Sequence, residues 1–237
     1  MSAATEFAPG LMVQRTPAPL RLSDYKLIAF DMDSTLITIE CVDEIADATG
    51  KKAEVAAITE ATMRGEITDF KESLRQRVAL LRGVTEADME RVRNERLRLS
   101  PGAQALVEAC QRAGLKVLLV SGGFTYFAEY VRGLLNIDFV RANVLATDNG
   151  VLTGAMIDQP WGDICDGAEK RRTLLEVASL LGISPAQCIA VGDGSNDLPM
   201  MSAAGLSVAF HAKPRVRAEA QVAINAGGLD RLLEILR

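Results

Sequence analysis

The sequence contains a single histidine, His211, and only four cysteines among its 237 residues. The cysteines, Cys41, Cys110, Cys165 and Cys188, are scattered along the chain and form no CxxC pair. Zinc sites and disulfide frameworks are built from clustered or regularly spaced cysteine and histidine, so the sequence predicts neither. Unpaired cysteines are typical of proteins from a reducing cytoplasm.

The sequence also lacks an excess of positive charge and any apolar run of membrane-spanning length. Its 26 Lys and Arg are outnumbered by 31 Asp and Glu, and the formal net charge is -5. This balance argues against a protein that binds the phosphate backbone of nucleic acids. The N-terminal residues have neither the basic start nor the continuous apolar stretch of a signal peptide. We therefore expect a cytoplasmic protein that binds neither nucleic acid nor a membrane.

Aromatic residues make up only 5% of the chain, but apolar residues of all kinds make up 49%, which is enough for a substantial core. Short apolar runs predict strands at residues 27–30, 116–120, 187–191, 206–210 and 222–224. Helical patterns lie between most of these runs, at residues 102–113, 125–135 and 168–181. Strands that alternate with amphipathic helices predict an α/β fold with a mainly parallel sheet.

Residues 39–99 interrupt this alternation, because they show helical patterns and no convincing strand. Helices are predicted at 42–48 and 69–81, and Thr85 with Asp88 forms a capping box at the start of another. A helical segment inserted after the first strand would lie over the carboxyl end of the sheet. We therefore expect it to act as a lid.

The domain organisation follows from this interruption. We assign residues 25–38 and 100–237 to an α/β core domain and residues 39–99 to a helical cap domain. Residues 1–24 contain several prolines and a glycine, and they predict a loosely ordered N-terminal lead-in. The tripeptide Asp148-Asn149-Gly150, between two short alternating stretches, predicts a hairpin.

Polar residues follow three of the predicted strands at the point where each strand ends. In chain order they are Asp31 and Asp33, then Ser121, Gly122 and Gly123, then Asp193, Asn196 and Asp197. Open α/β sheets bind ligands beyond the carboxyl ends of their strands, so these residues are expected to share one site. Up to four carboxylates in so small a volume repel each other unless a cation or protons intervene. Oxygen ligands without clustered histidine or cysteine favour Mg²⁺, with a phosphate bridging the metal to Ser121 and the glycine amides.

Asp31 and Asp33 have complementary chemistry if they converge beyond the end of their strand. One carboxylate can attack an electrophile and form a covalent intermediate, while the other donates a proton and then removes one. A DxD pair or a glycine-rich turn is a weak signal by itself, and each is more often a cap or a tight corner.

The four motifs together resemble those of the haloacid-dehalogenase-like (HAD) hydrolase superfamily. They are the pentapeptide from Asp31 to Thr35, Ser121 with Gly122, Lys170, and the hexapeptide from Gly192 to Asp197. The resemblance runs from about Tyr25 to the C-terminus, and within the superfamily it is strongest to the phosphoserine phosphatases. It implies a Rossmann-like doubly wound core, a helical cap, and Mg²⁺-dependent hydrolysis of O-phospho-L-serine, the last step of serine biosynthesis.

The resemblance also implies a role for particular residues. Asp31 would be the nucleophile and Asp33 the general acid and base. Asp31, the main-chain carbonyl of Asp33, and Asp193 would hold Mg²⁺, with Asp197 supporting that shell. The residues that would bind the substrate phosphate are Ser121, Gly122, Lys170 and Asn196. In the cap, Glu40 would meet the substrate ammonium and Arg77 its carboxylate, and Met63 and Phe70 would line the pocket.

Spacing alone leaves several of these assignments open. Arg77 lies on the same helical face as Phe70 and Leu74, where an arginine commonly extends along the apolar surface to reach water. Glu40 is an ordinary acidic residue for the start of a helix. Lys170 is one of three consecutive basic residues, and periodicity does not distinguish it from Arg171.

Two functional alternatives remain at this stage. A receiver-type phosphoacceptor module also uses clustered aspartates, Mg²⁺ and a lysine in an α/β fold. However, Asp33 would hasten the loss of a phosphoryl group that such a module must keep, and receivers are typically about half this length. A phosphotransferase of the same fold would differ only in the acceptor of the phosphoryl group. The oligomeric state is not predicted.

Overall fold

The computed structural model describes residues 4–16, 18–63 and 66–237. Its strands are β1 (Thr5–Ala8), β2 (Leu11–Val13), β3 (Leu27–Phe30), β4 (Lys116–Phe124), β5 (Phe139–Asp148), β6 (Val151–Ile157), β7 (Cys188–Gly192), β8 (Leu206–Phe210) and β9 (Val222–Ile224). Its α-helices are α1 (Cys41–Ala48), α2 (Lys52–Met63), α3 (Phe70–Leu80), α4 (Glu86–Glu95), α5 (Ala103–Arg112), α6 (Thr125–Leu135), α7 (Gly167–Leu180), α8 (Leu198–Ala203) and α9 (Pro214–Glu219). Within the described ranges, no helix is both long and apolar enough to cross a membrane.

The strands form one sheet in the order β1-β2-β9-β8-β7-β3-β4-β5-β6. Strand β3 lies between β7 and β4 and is parallel to both. The pairs β4–β5, β7–β8 and β8–β9 are parallel as well. The predicted mainly parallel α/β fold is therefore confirmed, and the ends of β3, β4 and β7 lie side by side.

The central strands are buried because helices cover both faces of the sheet. Ile28 and Phe30 of β3 face one core cluster, which includes residues of α5 and α6. Leu27 and Ala29 face the other, which includes residues of α7 and α8. This period of two follows from strand geometry, and complete burial of each large apolar side chain stabilises the fold by about 1.5–3 kcal/mol. The doubly wound arrangement thus holds the strand ends in fixed positions.

Helices α1 to α4 lie within the segment 39–99 that the sequence assigned to a cap. Two of them begin as the sequence predicts. The side chain of Asp69 accepts a hydrogen bond from the Lys71 amide at 2.9 Å at the start of α3. Thr85 and Asp88 exchange the reciprocal bonds of a capping box at the start of α4. These caps satisfy amides that a helix start leaves without partners.

Residues 5–13 of the N-terminal segment form two strands that the sequence did not predict. Instead of a loose lead-in throughout residues 1–24, β1 and β2 form an antiparallel pair, and β2 pairs antiparallel with β9. Leu11 is completely buried against the core, and Val13 is nearly so. The physical reason is that β9 would otherwise leave an open edge, which a short strand with alternating inward side chains can cover.

The predicted hairpin at Asp148-Asn149-Gly150 is confirmed. Strands β5 and β6 are antiparallel, and Asp148 pairs with Val151 across a two-residue turn. Asn149 and Gly150 have φ values of 48° and 76°, the left-handed backbone that Asn-Gly adopts most readily in such turns. The hairpin carries β6 towards the helical segment, where it packs against α3.

Candidate active site

Asp31 stands at the end of β3, where its amide still bonds to the carbonyl of Val191 at 3.0 Å. The chain then makes one wide turn over Met32–Leu36, closed by a bond of 3.0 Å from the Ile37 amide to the Met32 carbonyl. Within it, Ser34 has a left-handed φ of 55°, which costs energy in a residue other than glycine. The turn keeps Asp31 and Asp33 at one end of the sheet.

Lys170 forms ion pairs with two of the aspartates. Its Nζ lies 2.7 Å from Oδ1 of Asp31 and 2.6 Å from Oδ1 of Asp197, and its side chain is completely buried. Burial by itself would lower the pKa of Lys170, but Asp197 and Asp31 together raise it above its ordinary value. The neighbouring Arg171 and Arg172 are exposed. The structure therefore separates Lys170 from the two arginines, which periodicity could not do.

The carboxylates outnumber the cation at this place. Oxygen atoms of Asp31, Asp193 and Asp197 all lie within 4.8 Å of one another, and three carboxylates with one buried ammonium leave an excess of negative charge. Burial raises the pKa of Asp193 to about 6, with Asp197 adding to the effect, and burial followed by Asp197 also raises the pKa of Asp31 despite Lys170. A donor set of this kind fits a hard divalent cation, which would relieve the repulsion.

The carboxyl of Asp197 holds Lys170 and the loop after β7 in place. Its Oδ2 accepts bonds from the amides of Asp193 at 3.1 Å and Gly194 at 3.0 Å, while its Oδ1 binds Lys170. The side chain thus fixes the backbone of the loop after β7. This geometry agrees with the supporting position that the resemblance implied for Asp197.

Asp33 is partly exposed, and both of its oxygens accept hydrogen bonds from Cys41. Burial raises the pKa of Asp33 to about 7, Glu40 adds to the effect, and the bonds from Cys41 oppose it. A carboxyl with a pKa near neutrality can both give and take a proton under physiological conditions. This is the behaviour required of a general acid and base.

The end of β4 supplies a third part of the site. Oγ of Ser121 accepts a bond of 2.8 Å from the Gly123 amide, and Nδ2 of Asn143 donates to the Gly122 carbonyl at 2.7 Å. A Cβ atom on Gly122 would lie 3.1 Å from the ring of Phe70, and one on Gly123 would lie 3.3 Å from the Asp33 carboxyl. Both contacts are tighter than ordinary packing, so a side chain at either position would crowd the space beside the backbone where a ligand could bind.

These groups line one pocket, a cavity of about 380 Å³ between the sheet and the helical segment. The lining includes most of the residues predicted from the sequence: Asp31, Asp33, Glu40, Phe70, Arg77, Ser121, Gly122, Asp193 and Asn196. Lys170 and Asp197 are buried beneath it. Met63 ends α2, but its side chain lies outside the described residues. We call the lining residues of the core, together with Lys170 and Asp197 beneath them, the floor, and the lining residues of the segment 39–99 the wall.

The wall carries charges of both signs. Glu40 accepts a bond of 2.6 Å from the Ser34 hydroxyl. Arg77 is half-buried, and its only hydrogen bond to a described residue is a long one of 3.4 Å from Nε to the Ser73 carbonyl. Burial lowers the pKa of Arg77, and Asp43 and Glu40 oppose the shift. The guanidinium is therefore available to an anionic ligand in the pocket.

A family model for haloacid dehalogenase-like hydrolases matches residues 28–202. The chain belongs to this family. The hydrolase is 70% identical to a phosphoserine phosphatase of Polaromonas sp., over 98% of its own length and 99% of that relative. It is 46% identical to a phosphoserine phosphatase of Haemophilus influenzae, over 91% of its length and 67% of that relative.

The solved structures that the chain resembles also include phosphoserine phosphatases. A phospho-aspartyl intermediate analogue of phosphoserine phosphatase superposes on the hydrolase with a TM-score of 0.82 at 35% identity, covering 90% of this chain and 99% of that one. A substrate-bound phosphoserine phosphatase complex gives the same values. The resemblance drawn from the motifs is thereby confirmed at the level of family and fold.

Sequence reasoning missed several residues of the hydrolase that hold the site together. Asn143 bonds to Gly122 and, through Oδ1, accepts from the Cys165 amide at 2.8 Å. Asp43 lines the pocket, and its Oδ1 is buried with no hydrogen-bond partner among the described residues. Cys41 bonds to Asp33. Asn143 and Cys41 carried no spacing signal, whereas Asp43, three residues after Glu40 on one helix face, could have been found from helical periodicity.

Proposed function

We propose that the protein is a phosphomonoesterase that hydrolyses O-phospho-L-serine to L-serine and phosphate in the last step of serine biosynthesis. One observation carries the proposal: a strand-end aspartate paired with a buried lysine shares a pocket with an acid and an arginine from a separate helical segment. The first pair suits phosphoryl transfer to Asp31. The second, Glu40 and Arg77, suits a zwitterionic amino acid.

The reaction proceeds in two steps. An oxygen of Asp31 attacks phosphorus, the bond from phosphorus to the serine oxygen breaks, and Asp33 gives its proton to that departing oxygen. Asp33, now ionised, takes a proton from water as the water oxygen attacks the phosphoaspartate, which releases phosphate and restores Asp31. The pKa of Asp33 near 7 fits both directions of proton transfer.

The floor holds the phosphoryl group during both steps. Ser121, the Gly122 amide and Asn196 would donate to its oxygens, and Lys170 would balance the charge of Asp31. We assign Mg²⁺ to Asp31, the main-chain carbonyl of Asp33, and Asp193, where a bound ion would neutralise the carboxylates and polarise the phosphoryl group. The donor set fits this ion because it consists of oxygens alone.

The wall selects the substrate. Glu40 would accept from the ammonium, and Arg77 would bind the carboxylate through two parallel hydrogen bonds. Phe70 would cover the apolar part of the molecule. The ring of Phe70 supports this assignment, since it lies close to Gly122 at the boundary between wall and floor.

A cytoplasmic location agrees with the chemistry of the cysteines. All four are free and buried. The partner that fits the pocket is a small-molecule substrate. Localising a tagged full-length chain by cell fractionation would test this part of the proposal, and recovery outside the cytoplasmic fraction would contradict it.

The function is tested by measuring phosphate release from a panel of phosphorylated metabolites, with Mg²⁺ and with a chelator. We expect many turnovers with phosphoserine, slower turnover with other phosphomonoesters, and loss of activity in chelator. A single stoichiometric labelling of the protein would instead favour a receiver-type module. Transfer of phosphate to an added alcohol, faster than to water, would favour a phosphotransferase.

A further inference from the structure

Both oxygens of the Asp33 carboxyl are held by one residue. Helix α1 begins at Cys41, whose amide lies 3.1 Å from Oδ2 of Asp33 and whose Sγ lies 3.1 Å from Oδ1. Cys41 is completely buried, so neither of its two donors reaches bulk water. The carboxyl is therefore fixed in one plane by two donors at the start of a helix.

The two bonds differ in what they require of the sequence. Any residue other than proline at this position would supply the amide, but only the side chain of Cys41 supplies the second donor. In this bond the carboxyl oxygen is the acceptor, so Sγ keeps its hydrogen and acts as the donor. A side chain without a donor would leave Oδ1 without this partner. The Asp33 carboxyl could then rotate about its Cβ–Cγ bond.

Rotation matters because proton transfer depends on orientation. A general acid must direct its proton at the departing oxygen, and a small misplacement costs a large part of the rate. Phosphoserine needs this proton, since a serine alkoxide is a poor leaving group. An aryl phosphate such as p-nitrophenyl phosphate does not need it, because p-nitrophenolate leaves readily as an anion.

We propose that Cys41 is a positioning residue whose thiol fixes the carboxyl plane of Asp33 for proton transfer to and from the substrate. The inference rests on the proposed function of the site and adds to it a residue that acts through Asp33. It makes the side chain at position 41 a determinant of how well the enzyme handles poor leaving groups.

The test compares kcat/KM for phosphoserine and for p-nitrophenyl phosphate, because kcat/KM reports the steps up to departure of the leaving group. We expect Cys41→Ala to lower the value for phosphoserine about tenfold and that for the aryl phosphate less than about twofold. Cys41→Ser, which keeps a donor, should stay within about threefold of the unaltered protein on both substrates.

Cys110→Ala is the matched control. Cys110 is also completely buried, but it lies on α5 away from the pocket, and its thiol forms no hydrogen bond to a described residue. It reports the cost of removing a buried thiol, and the ratio of the two kcat/KM values should not change. If Cys41→Ala does not fold, Cys41→Val, which fills the volume without a donor, replaces it and should show the same altered ratio.

The outcomes separate this inference from the proposed function. An equal loss on both substrates, or a Cys41→Ser variant as impaired on phosphoserine as Cys41→Ala, would overturn the positioning role. If the unaltered protein does not turn over phosphoserine, the proposed function fails before the ratio is examined. If it does and the ratio is unchanged in every Cys41 variant, only the positioning role fails.

Discussion

The floor and the wall of the pocket are built in different ways. On the floor, Lys170, Asp31 and Asp197 are buried and paired: Lys170 forms ion pairs with both aspartates, and Asp197 also accepts hydrogen bonds from two loop amides. On the wall, Arg77 is half-buried with one long hydrogen bond to a described residue, and Asp43 has a buried oxygen without a described donor.

This difference indicates which residues of the pocket suit catalysis and which suit recognition of the substrate. Catalysis by preorganised charges needs groups that do not reorganise during the reaction. The floor meets this condition through short bonds among groups held by the end of β3, helix α7 and the segment after β7. Recognition needs groups whose partner is the ligand itself, and the wall leaves such groups open. We therefore expect loss of the nucleophile on the floor to affect all substrates alike, and changes on the wall to depend on the amino-acid part of the substrate.

The largest effect is expected from Asp31→Asn. The amide has nearly the same shape but cannot form the acyl phosphate, so turnover should fall at least about 1000-fold. The loss should be similar for phosphoserine and for p-nitrophenyl phosphate, measured as phosphate release. Asp24→Asn, at an exposed position before β3, serves as the control for the exchange itself. Substantial residual hydrolysis in a clean preparation would remove Asp31 from the role of nucleophile.

Arg77→Ala should have a smaller and selective effect. Loss of a charge-assisted pair with the substrate carboxylate is worth about 1.5–3 kcal/mol, so kcat/KM for phosphoserine should fall about 10- to 100-fold, mostly through KM. The aryl phosphate, which has no carboxylate, should lose little. Arg75→Ala is the matched control, because Arg75 lies on the same helix but pairs with Asp163 outside the pocket. Equal losses on both substrates would mean that the wall does not read the carboxylate.

The smallest expected effect is on the melting temperature of the protein without Mg²⁺. The pKa values of Asp33 and Asp193 in the folded chain, about 7 and about 6, lie above the ordinary value of 3.8. Between the ordinary and the raised pKa of each carboxyl, the folded chain binds more protons than the unfolded chain. The free energy of unfolding therefore falls as pH rises through this range. In chelator, the melting temperature should drop from pH 5 to pH 8 by at least about 3 °C.

Two variants sharpen this prediction. Asp193→Asn should flatten the fall and weaken the stabilisation by Mg²⁺, which we expect to be greater at pH 8 than at pH 5. Asp47→Asn should leave the slope unchanged. The Asp47 carboxyl is partly exposed, and its hydrogen bond to Arg96 lowers its pKa, so it does not titrate in this range. A melting temperature that rises with pH in chelator would contradict the assigned pKa shifts.

Much of the fold could be predicted because the relevant signals are local. The apolar run 27–30 coincides with β3, and the helical pattern 125–135 coincides with α6. Asn149 and Gly150 predicted their turn because few other residues adopt its backbone. The lead-in was underestimated because β1 and β2 are short, and what orders them is the open edge of β9, over 200 residues away.

Within the site, residue types that signal chemistry were predictable and the residues that support them were not. Aspartates after a buried strand stand out in any sequence. Asn143 does not, since its role exists only because the Gly122 carbonyl and the Cys165 amide converge on its side chain. Lys170 could be predicted only in part. The sequence shows three consecutive basic residues, and burial on one face of α7 distinguishes the one that pairs with Asp31.

The sequence by itself determined the elements and the chemistry at their ends, because strand and helix periodicity and the polarity of strand-end residues are properties of neighbouring positions. Only the tertiary structure decided the partnerships. Asp31 meets Asp193 and Lys170, and Asp33 meets the thiol of Cys41, because parallel strand order and helix placement bring distant segments together. Those contacts depend on distance in space, which no local pattern records.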